Sequence, residues 1–214
     1  MDDTIFHVYN RGVEKRDIFL DDADRFRFIA SLILFNSTQA TNPNAHRLME
    51  VSLPLLSHEL DEQVVELMAY CLMPNHYHLM IRPRVEHGLT EFMRKLGTGY
   101  TNYFNLRYDR VGALFQGRFK SKPVISDSHF NWLPHYIHCN PFDGSETSII
   151  TYPWSSFQDY SSKKDGASNK RRSKVVDTSF LSQWFETPEQ FYQETLDWLT
   201  QESEDSKHHE LYLD

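Results

Sequence analysis

The sequence predicts an α+β fold, a ferredoxin-like antiparallel sheet with packed helices and a C-terminal helical extension. Two observations lead to this prediction. Segments with strand-like and helix-like hydrophobic patterns follow one another in the order β-α-β-β-α-β, with one more helix at the end. The chain has 214 residues, of which 40% are hydrophobic, and this is enough to bury the core of one domain with extensions.

The first strand is predicted at about residues 5–9, and a turn follows at residues 10–12. A helix is then expected over about residues 22–35, with Asp21 or Asp22 as its N-cap. Its predicted buried face consists of apolar residues at helical spacing, namely Phe26, Ile29, Leu32 and Ile33.

A β-hairpin is predicted in the middle of the chain. Residues 64–73 are largely apolar, Pro74-Asn75 is a turn signal, and residues 76–82 alternate as the return strand. Before the hairpin, residues 37–60 begin with a run rich in Ser, Thr, Asn and Pro, so they are predicted to form an insertion with a short helix.

A second long helix is predicted over about residues 90–107, although Gly97 and Gly99 weaken it. A fourth strand is expected at about residues 119–125. The apolar residues that follow helical periodicity in the long helix are Phe92, Met93, Leu96, Tyr100 and Phe104.

The next helix is predicted over residues 127–139, with Asp127 as N-cap and Pro141 beyond its end. Pro134 lies inside this segment and is expected to distort the helix or split it, because proline lacks the N–H that a helix interior uses.

The predicted organisation is a single domain over residues 1–160, followed by a polar linker over residues 161–187. Residues 188–214 are predicted to form a C-terminal extension. It begins with an amphipathic helix at about residues 188–199 and ends in an acidic tail.

Composition and charge limit the classes of function. No apolar run approaches the roughly 20 residues that span a bilayer, the N-terminus lacks a signal-peptide pattern, and two cysteines fit a reducing compartment, so a cytoplasmic protein without a membrane partner is expected. The formal net charge of -8 argues weakly against a nucleic-acid partner. Residues 82–122, however, carry nine basic and three acidic residues, a local charge of +6.

The hairpin carries the pair His76 and His78. In a strand these two imidazoles lie on one side, while Tyr77 lies on the other side with the core residues. Two imidazoles on one face can bind one divalent ion and leave positions for substrate oxygens. A His-x-His pair alone is weak evidence in a chain with 11 histidines, so a pair without a metal stays an alternative.

Tyr136 and Asn140 are four residues apart and therefore lie on one face of the predicted helix. A phenol and a carboxamide on one face allow the tyrosine to act as a nucleophile while the amide oxygen joins a metal shell. The alternative is an ordinary helix C-terminus, with Asn140 as a cap and Tyr136 half-buried. His135 and His138 are expected to be surface or capping residues.

Five segments, taken in order, resemble the single-tyrosine HUH transposases, and most closely the REP-associated tyrosine transposases of the IS200-like family. The resemblance covers about residues 4–160 and implies the HUH endonuclease fold. The segments are Phe6-His7-Val8-Tyr9-Asn10-Arg11-Gly12, Met73-Pro74-Asn75-His76-Tyr77-His78-Leu79, Leu114-Phe115-Gln116-Gly117-Arg118-Phe119-Lys120-Ser121, Tyr136-Ile137-His138-Cys139-Asn140-Pro141 and Trp154-Ser155-Ser156.

Carried over to this sequence, the resemblance implies that His76, His78 and Asn140 are the metal ligands. It also implies that Tyr136 is the nucleophile and that the ion is Mg²⁺ or Mn²⁺. Tyr136 would attack a phosphate of single-stranded, hairpin-forming DNA, release a 3′-hydroxyl and form a 5′-phosphotyrosine link, which a second 3′-hydroxyl can rejoin. A free tyrosine has a pKa of about 10, so the phenol needs help to lose its proton.

Basic and polar residues near these motifs are the predicted DNA contacts, each with a solvated surface or a turn as its alternative. Phe115 and Phe119 can stack on unpaired bases, but core packing is the preferred interpretation. The predicted DNA-binding residues are Asn10, Arg11, Arg94, Lys95, Arg118, Lys120 and Lys122.

Two other functions compete with a DNA transposase. A catalytically inactive nucleic-acid-binding module of the same fold would have lost an active-site residue, whereas His76, His78, Tyr136 and Asn140 are all present. A small metallohydrolase would need a water nucleophile and a nearby Glu or Asp as its acid or base, and no such residue lies at an informative spacing in the sequence. The recognised repeat, the choice between monomer and homodimer, and whether the tyrosine acts in cis or in trans stay open at this point.

Overall fold

The computed structural model describes residues 3–38, 63–161, 175–180 and 185–204. The described strands are β1 (Phe6–Arg11), β2 (Val65–Met73), β3 (His76–Pro83) and β4 (Lys120–Pro123). The described helices are α1 (Asp22–Leu34), α2 (Gly88–Arg107), α3 (Asp127–Cys139), α4 (Glu146–Ile150), α5 (Phe157–Ser161) and α6 (Pro188–Glu204). The predicted α+β class is therefore confirmed, with each strand and long helix within a few residues of its expected bounds, except that α6 continues five residues beyond its predicted end.

The strands form one sheet in the order β2-β3-β1-β4, in which every neighbouring pair is antiparallel. This is the strand order of a ferredoxin-like sheet. β1 and β3 occupy the centre, and their register places Tyr9 opposite His78 and Arg11 opposite His76. Directly paired residues point to the same face, so the ends of both central strands present their polar side chains together.

One face of the sheet packs against α1 and α2. Val8, Tyr77 and Leu79 belong to a buried core with Phe28 of α1 and Tyr100 of α2. Tyr77 therefore lies in the core, on the side opposite the two histidines, as the alternation of the strand predicts.

α2 approaches α1 closely because it carries a glycine at the contact. A Cβ atom on Gly99 would lie 2.5 Å from the ring of Phe35, well inside van der Waals contact. The glycine that weakens the helix propensity of this segment is thus the residue that lets the two helices pack.

The other face of the sheet packs against α3, α5 and α6. Met80 of β3 and Cys71 of β2 share a second buried core with Tyr136 and Ile137 of α3 and Phe191 of α6. The histidine pair points toward this layer, because Met80 lies on the same face of β3 as His76 and His78.

α1 is capped as predicted, and Ile29, Leu32 and Ile33 of its predicted buried face are buried. The Asp21 side chain accepts a hydrogen bond from the Asp24 backbone N–H at 3.0 Å. The prediction that Phe26 belongs to the buried face is wrong, since this side chain is 51% exposed. The buried face is centred on the row of Asp24, Phe28 and Ser31, and Phe26 lies about 200° round the helix from both Asp24 and Phe28.

The N-cap of α3 lies one residue before the predicted cap. Ser126 is the N-cap and accepts a hydrogen bond from the His129 N–H at 3.1 Å, so Asp127 is the first helical residue and not the cap. The expected break at Pro134 is also absent, and the helix runs unbroken from Asp127 to Cys139. Leu133 and Ile137, on either side of the proline, are fully buried, and this packing holds both halves of the helix in line.

The segment Trp154-Ser155-Ser156 covers the outer edge of β2, which would otherwise be an unpaired strand edge. The Leu72 N–H donates to the Trp154 carbonyl at 2.9 Å, and the Ser156 N–H donates to the Tyr70 carbonyl at 3.0 Å. The Ser156 hydroxyl accepts from the Tyr70 N–H at 2.9 Å and lies 2.7 Å from His138 Nε2. His138 is therefore a fully buried, hydrogen-bonded residue, which corrects its expected place on the surface.

The substitution Ser156→Ala is expected to destabilise the protein by about 1–3 kcal/mol, because it leaves a buried imidazole nitrogen and a buried N–H without this hydroxyl. Urea unfolding measures the change. Ser155→Ala is the matched control, since the Ser155 hydroxyl makes only a 3.3 Å contact to the Phe157 N–H, and it should cost less. Equal stability of the two variants would contradict the proposed role of Ser156.

The C-terminal part described by the structure packs onto the sheet domain. Val176 is buried, and the Asp177 N–H donates to the Leu67 carbonyl at 2.8 Å. The His135 ring stacks on Phe191 of α6 at 4.6 Å and lies 2.8 Å from the Thr195 hydroxyl, so this histidine is also buried and not a surface residue. α6 thus shares one core with α3, the helix that carries Tyr136 and Asn140.

Several predicted regions lie wholly or partly outside the described residues. These are the insertion at residues 37–60, apart from its first two residues, most of the linker at residues 161–187, and the tail beyond residue 204. Within the described parts of the chain, no helix has the length and apolar character needed to cross a membrane.

Candidate active site

The hairpin between β2 and β3 places His76 and His78 on the face of the sheet covered by α3. His78 is fully buried, His76 is partly buried, and their ring centroids lie 5.1 Å apart with nearly perpendicular planes. Perpendicular imidazoles at this separation can direct one nitrogen each toward a shared position.

The protonation of His76 follows from its neighbours. Asn75 donates its side-chain amide to the Lys15 carbonyl, so its Oδ1 is the atom that faces His76 Nδ1 at 2.6 Å. So short a contact to an acceptor oxygen places the proton of the neutral ring on Nδ1 and leaves a lone pair on Nε2. Burial, and next the charge of Arg11, lower the pKa of His76 to about 4, so the ring is neutral at pH 7.

Asn140 turns an oxygen toward the same position. Its Nδ2 donates to the carbonyls of Tyr136 at 2.9 Å and Ile137 at 3.4 Å, at the C-terminal end of α3. Its Oδ1 therefore faces outward and lies 3.4 Å from His76 Nε2. Two acceptors that face each other repel unless a cation lies against both, so this pair fits a metal ion.

Tyr136 lies one turn before Asn140 on α3. Its ring stacks on Trp132 with 4.7 Å between centroids and 19° between planes. It also meets His78 and His7 edge-on, with centroids 5.5 and 5.6 Å away. The side chain is 2% exposed, so the phenol is held among aromatic rings beside the histidine pair.

His7 is a site residue that the sequence analysis missed. It lies on β1, is 1% exposed, and its Nε2 is 2.8 Å from His78 Nδ1. Burial, with smaller contributions from Lys122 and His129, lowers the pKa of His7 to about 3, so this ring is neutral as well. Only the strand register identifies His7, since its place beside His78 depends on the pairing of β1 with β3.

A cleft of about 110 Å³ opens beside the histidine pair where β1 ends and β4 begins. Three basic side chains reach it, those of Arg11, Arg118 and Lys120. The residues that line it are Tyr9, Asn10, Arg11, His76, His78, Gln116, Gly117, Arg118 and Lys120. Four of the predicted DNA-binding residues thus lie together with both predicted metal-ligand histidines.

Asn10 stabilises the loop that forms one wall of the cleft. Its side-chain amide donates to the Gly117 carbonyl at 3.1 Å, and its Oδ1 accepts from the Arg11 N–H at 2.9 Å. These two hydrogen bonds tie the end of β1 to the loop that carries Gln116 and Arg118, so Asn10 acts on the cleft through that loop.

Tyr9 is a second residue of the cleft that the sequence analysis did not select. Its ring lies opposite His78 on the neighbouring strand, and Lys120 and Lys122 each place their Nζ 5.8 Å from the ring centroid. Lys122 thereby approaches the site from β4. The Tyr9 hydroxyl is buried and has no hydrogen-bond partner among the described residues.

The remaining two predicted DNA contacts, Arg94 and Lys95, lie elsewhere. Both belong to α2, which packs on the opposite face of the sheet. Lys95 forms an ion pair with Glu91 at 2.9 Å and donates to the Ser37 carbonyl at 3.1 Å. The structure therefore does not bring these two residues to the cleft.

Several other basic residues of the segment 82–122 form ion pairs. Arg82 and Arg84 both approach the buried carboxylate of Glu66 to 2.6 Å. Arg107 pairs with Asp21 at 2.6 Å and Asp24 at 2.8 Å. The positive charge of the cleft thus comes from Arg118 and Lys120 of the segment 82–122, together with Arg11 from β1.

Comparison with known proteins shows similarity to a transposase family. The model of the family described as "Transposase IS200 like" matches residues 45–140, a segment that contains both histidines of the hairpin, Tyr136 and Asn140. A solved structure described as "Structure of the REP associates tyrosine transposase bound to a REP hairpin" is similar at 16% identity with a TM-score of 0.49, covering 82% of this chain and 88% of that chain. No curated protein matches the chain. Over residues 45–140, the chain is thus similar to the IS200-like transposase family.

Proposed function

We propose that this protein is a transposase that cleaves and rejoins single-stranded, hairpin-forming DNA through a covalent link to Tyr136, with a divalent metal ion. One observation carries the proposal: the fold brings His76, His78, Asn140 and Tyr136 together at the edge of a basic cleft. These side chains come from β3 and α3, which are separated by more than 40 residues in the chain. The similarity of residues 45–140 to a transposase family supports this chemistry.

The proposed metal ligands are His76 Nε2, a ring nitrogen of His78 and Asn140 Oδ1. Among the described residues, no three His, Cys, Asp or Glu side chains cluster in a way that could hold a metal, so the amide oxygen is a necessary part of this set. When bound, Mg²⁺ or Mn²⁺ supplies positive charge that polarises a phosphate and stabilises the transition state. The histidines contribute neutral lone pairs, and Asn140 is kept in orientation by its hydrogen bonds to the end of α3.

Tyr136 is the proposed nucleophile. Its phenol oxygen forms a bond to phosphorus, the bond from phosphorus to the 3′-oxygen breaks, and the leaving oxygen ends as a 3′-hydroxyl. The phenol gives up its proton to solvent and the leaving 3′-oxygen takes one up, so the number of protons is unchanged over the step. In the reverse direction the 3′-hydroxyl of a second strand displaces the tyrosine, so the phosphodiester is rebuilt without an external energy source.

One observation favours the alternative of a nucleic-acid-binding module without catalysis. Tyr136 is only 2% exposed, so the DNA-bound state must expose the phenol before it can reach a phosphate. The proposal is tested by incubating the protein with labelled single-stranded hairpin DNA in Mg²⁺, in Mn²⁺ or in EDTA. A denaturation-resistant adduct that requires the metal supports catalysis, and hairpin binding without an adduct supports the module.

The cleft is the proposed path of the DNA strand. Arg11, Arg118 and Lys120 supply positive charge, and the loop at Gly117 leaves open space above its Cα. Salt screens the interaction between surface charges beyond about 8–10 Å at physiological ionic strength. The overall charge of -8 therefore does not oppose a DNA contact that is confined to the cleft.

The double variant Arg118→Ala/Lys120→Ala should weaken hairpin binding, because it removes two cations from the cleft. If each contacts one phosphate, the slope of log affinity against log salt should fall in magnitude by about 1.4, roughly 0.7 per contact with a single strand. Affinity measured over a salt series gives this slope.

Arg94→Ala is the matched control for the cleft variant. Arg94 is an exposed arginine on α2, across the sheet from the cleft, and its removal should leave the slope close to that of the wild type. A loss of affinity at Arg94 as large as that of the cleft variant would mean that DNA crosses the α2 face instead.

The proposed catalytic unit is the domain at residues 1–160, with the later segments as an extension. Within a single chain Tyr136 already lies beside His78, which supports action of the tyrosine in cis and does not require a second copy.

We also propose a cytoplasmic location, in agreement with Cys71 and Cys139, which are both buried free thiols.

A further inference from the structure

His7 lies outside the segment that matches the family model, yet its ring lies within hydrogen-bond distance of His78, one of the proposed metal ligands. Its Nε2 is 2.8 Å from His78 Nδ1, and the two rings are nearly parallel with centroids 5.1 Å apart. Both rings are buried in the layer between the sheet and α3, with Tyr136 edge-on to each.

When both imidazoles are neutral, the hydrogen bond between them contains one proton. Either His78 Nδ1–H donates to His7 Nε2, or His7 Nε2–H donates to His78 Nδ1. In the first arrangement His78 Nε2 carries a lone pair. In the second, His78 Nε2 carries the proton and is unable to bind a cation without exchanging tautomers.

The neighbouring histidine indicates which arrangement serves the site. His76 Nδ1 faces the acceptor Asn75 Oδ1 at 2.6 Å, which leaves its Nε2 directed to Asn140 Oδ1. His78 has the corresponding geometry, with His7 in the place of Asn75. Each hairpin histidine thus has one partner at Nδ1, and metal-bound histidines are usually held in this way by a group beyond the ligand.

We propose that His7 is a positioning residue, which accepts a hydrogen bond from His78 Nδ1–H and thereby holds His78 as the tautomer whose Nε2 binds the divalent cation. This inference rests on the proposed metal site. His7 carries its own proton on Nδ1. Because β1 is paired with β3 along its whole length, the sheet sets the distance between the two rings, and this hydrogen bond joins the ligand to the centre of the sheet.

The tautomer of His78 is measured directly in the metal-free protein by ¹⁵N NMR of the histidine rings. We expect a protonated Nδ1 and an unprotonated Nε2 in the wild type. In His7→Phe, which keeps a ring of similar size but has no acceptor, the Nε2–H tautomer of His78 should become populated. A protonated Nε2 on His78 in the wild type would overturn the proposal.

Metal affinity provides the second readout, measured by electron paramagnetic resonance with Mn²⁺ alone and without DNA. His7→Phe should lower Mn²⁺ affinity by about 10–100-fold, the usual effect of losing a group that orients a ligand. His7→Gln offers a carbonyl acceptor in place of the imidazole and should recover most of the affinity. The Gln variant also keeps the test informative if the Phe variant does not fold.

His135→Phe is the matched control, since His135 is another buried histidine, in the same layer, paired with the Thr195 hydroxyl. It should bind Mn²⁺ as the wild type does. A folded His7→Phe variant with wild-type Mn²⁺ affinity overturns the role of His7 alone. If the wild type itself binds no Mn²⁺, the metal site of the proposed function fails, and the role of His7 fails with it.

Discussion

Tyr136→Phe is expected to abolish the covalent protein–DNA adduct and to leave hairpin binding and folding intact. We expect adduct formation to fall by at least about a thousandfold, because the substitution removes the oxygen that bonds to phosphorus. The stack on Trp132 and the edge contacts with His7 and His78 require only the ring, which phenylalanine keeps. Adduct formation on labelled hairpin DNA, thermal unfolding and hairpin affinity are measured side by side.

Tyr9→Phe is the comparison variant that shows which of the two tyrosines is the nucleophile. Tyr9 lines the cleft, its ring lies 5.8 Å from that of His78, and its hydroxyl has no hydrogen-bond partner among the described residues. It is therefore the phenol that could replace Tyr136 as the attacking group. The adduct should still form in Tyr9→Phe, and an adduct that persists in Tyr136→Phe but disappears in Tyr9→Phe would assign the nucleophile to Tyr9.

Local patterns were sufficient to predict most elements of the fold. The alternation around Tyr77 predicts that this side chain packs in the core on the face opposite the histidines, and the structure confirms it, although α3 buries the other face as well. The helix at Asp127–Cys139 has its predicted bounds, although its cap is Ser126 and Pro134 does not break it. Caps depend on one hydrogen bond and a tolerated proline depends on packing, and neither is visible in hydrophobic periodicity.

Strand register was the part of the site that the sequence could not supply. His7 and Tyr9 lie beside His78 because β1 pairs with β3 over a separation of about 70 residues. Nothing in the spacing of residues 6–11 identifies that partner strand, since a slip of one residue would turn both side chains to the opposite face. The two residues closest to the histidine pair on β1 were therefore missed.

The positions of the basic residues of the segment 82–122 were equally hard to predict from the sequence. Arg94 and Arg118 belong to one stretch of sequence, but the sheet separates them into different layers. Charge counted along the chain therefore locates the cleft only approximately. It also omits Arg11, which reaches the cleft from β1, and includes Arg82, whose charge is engaged by the buried Glu66.

His76→Ala is expected to lower Mn²⁺ affinity by more than about 100-fold, beyond the effect of losing a group that only orients a ligand. The reason is the loss of a neutral Nε2 lone pair whose direction is held by the contact of Nδ1 with Asn75. Adduct formation should fall to the level seen in EDTA. His87→Asn is the matched control, because it removes a histidine whose side chain is 86% exposed, and it should change neither quantity.

A double-mutant cycle with Asn140→Leu then decides whether His76 and Asn140 act on the same ion. If both atoms bind one cation, either single variant already loses most of the affinity, so the double variant should be little worse than the weaker single variant. If the two residues act independently, the losses in affinity multiply. Because Asn140 also caps α3 through the Tyr136 carbonyl, the cycle is compared with thermal unfolding of the same four proteins. Multiplied losses with unchanged folding would show that the 3.4 Å approach of Asn140 Oδ1 to His76 Nε2 serves the helix end and not a metal.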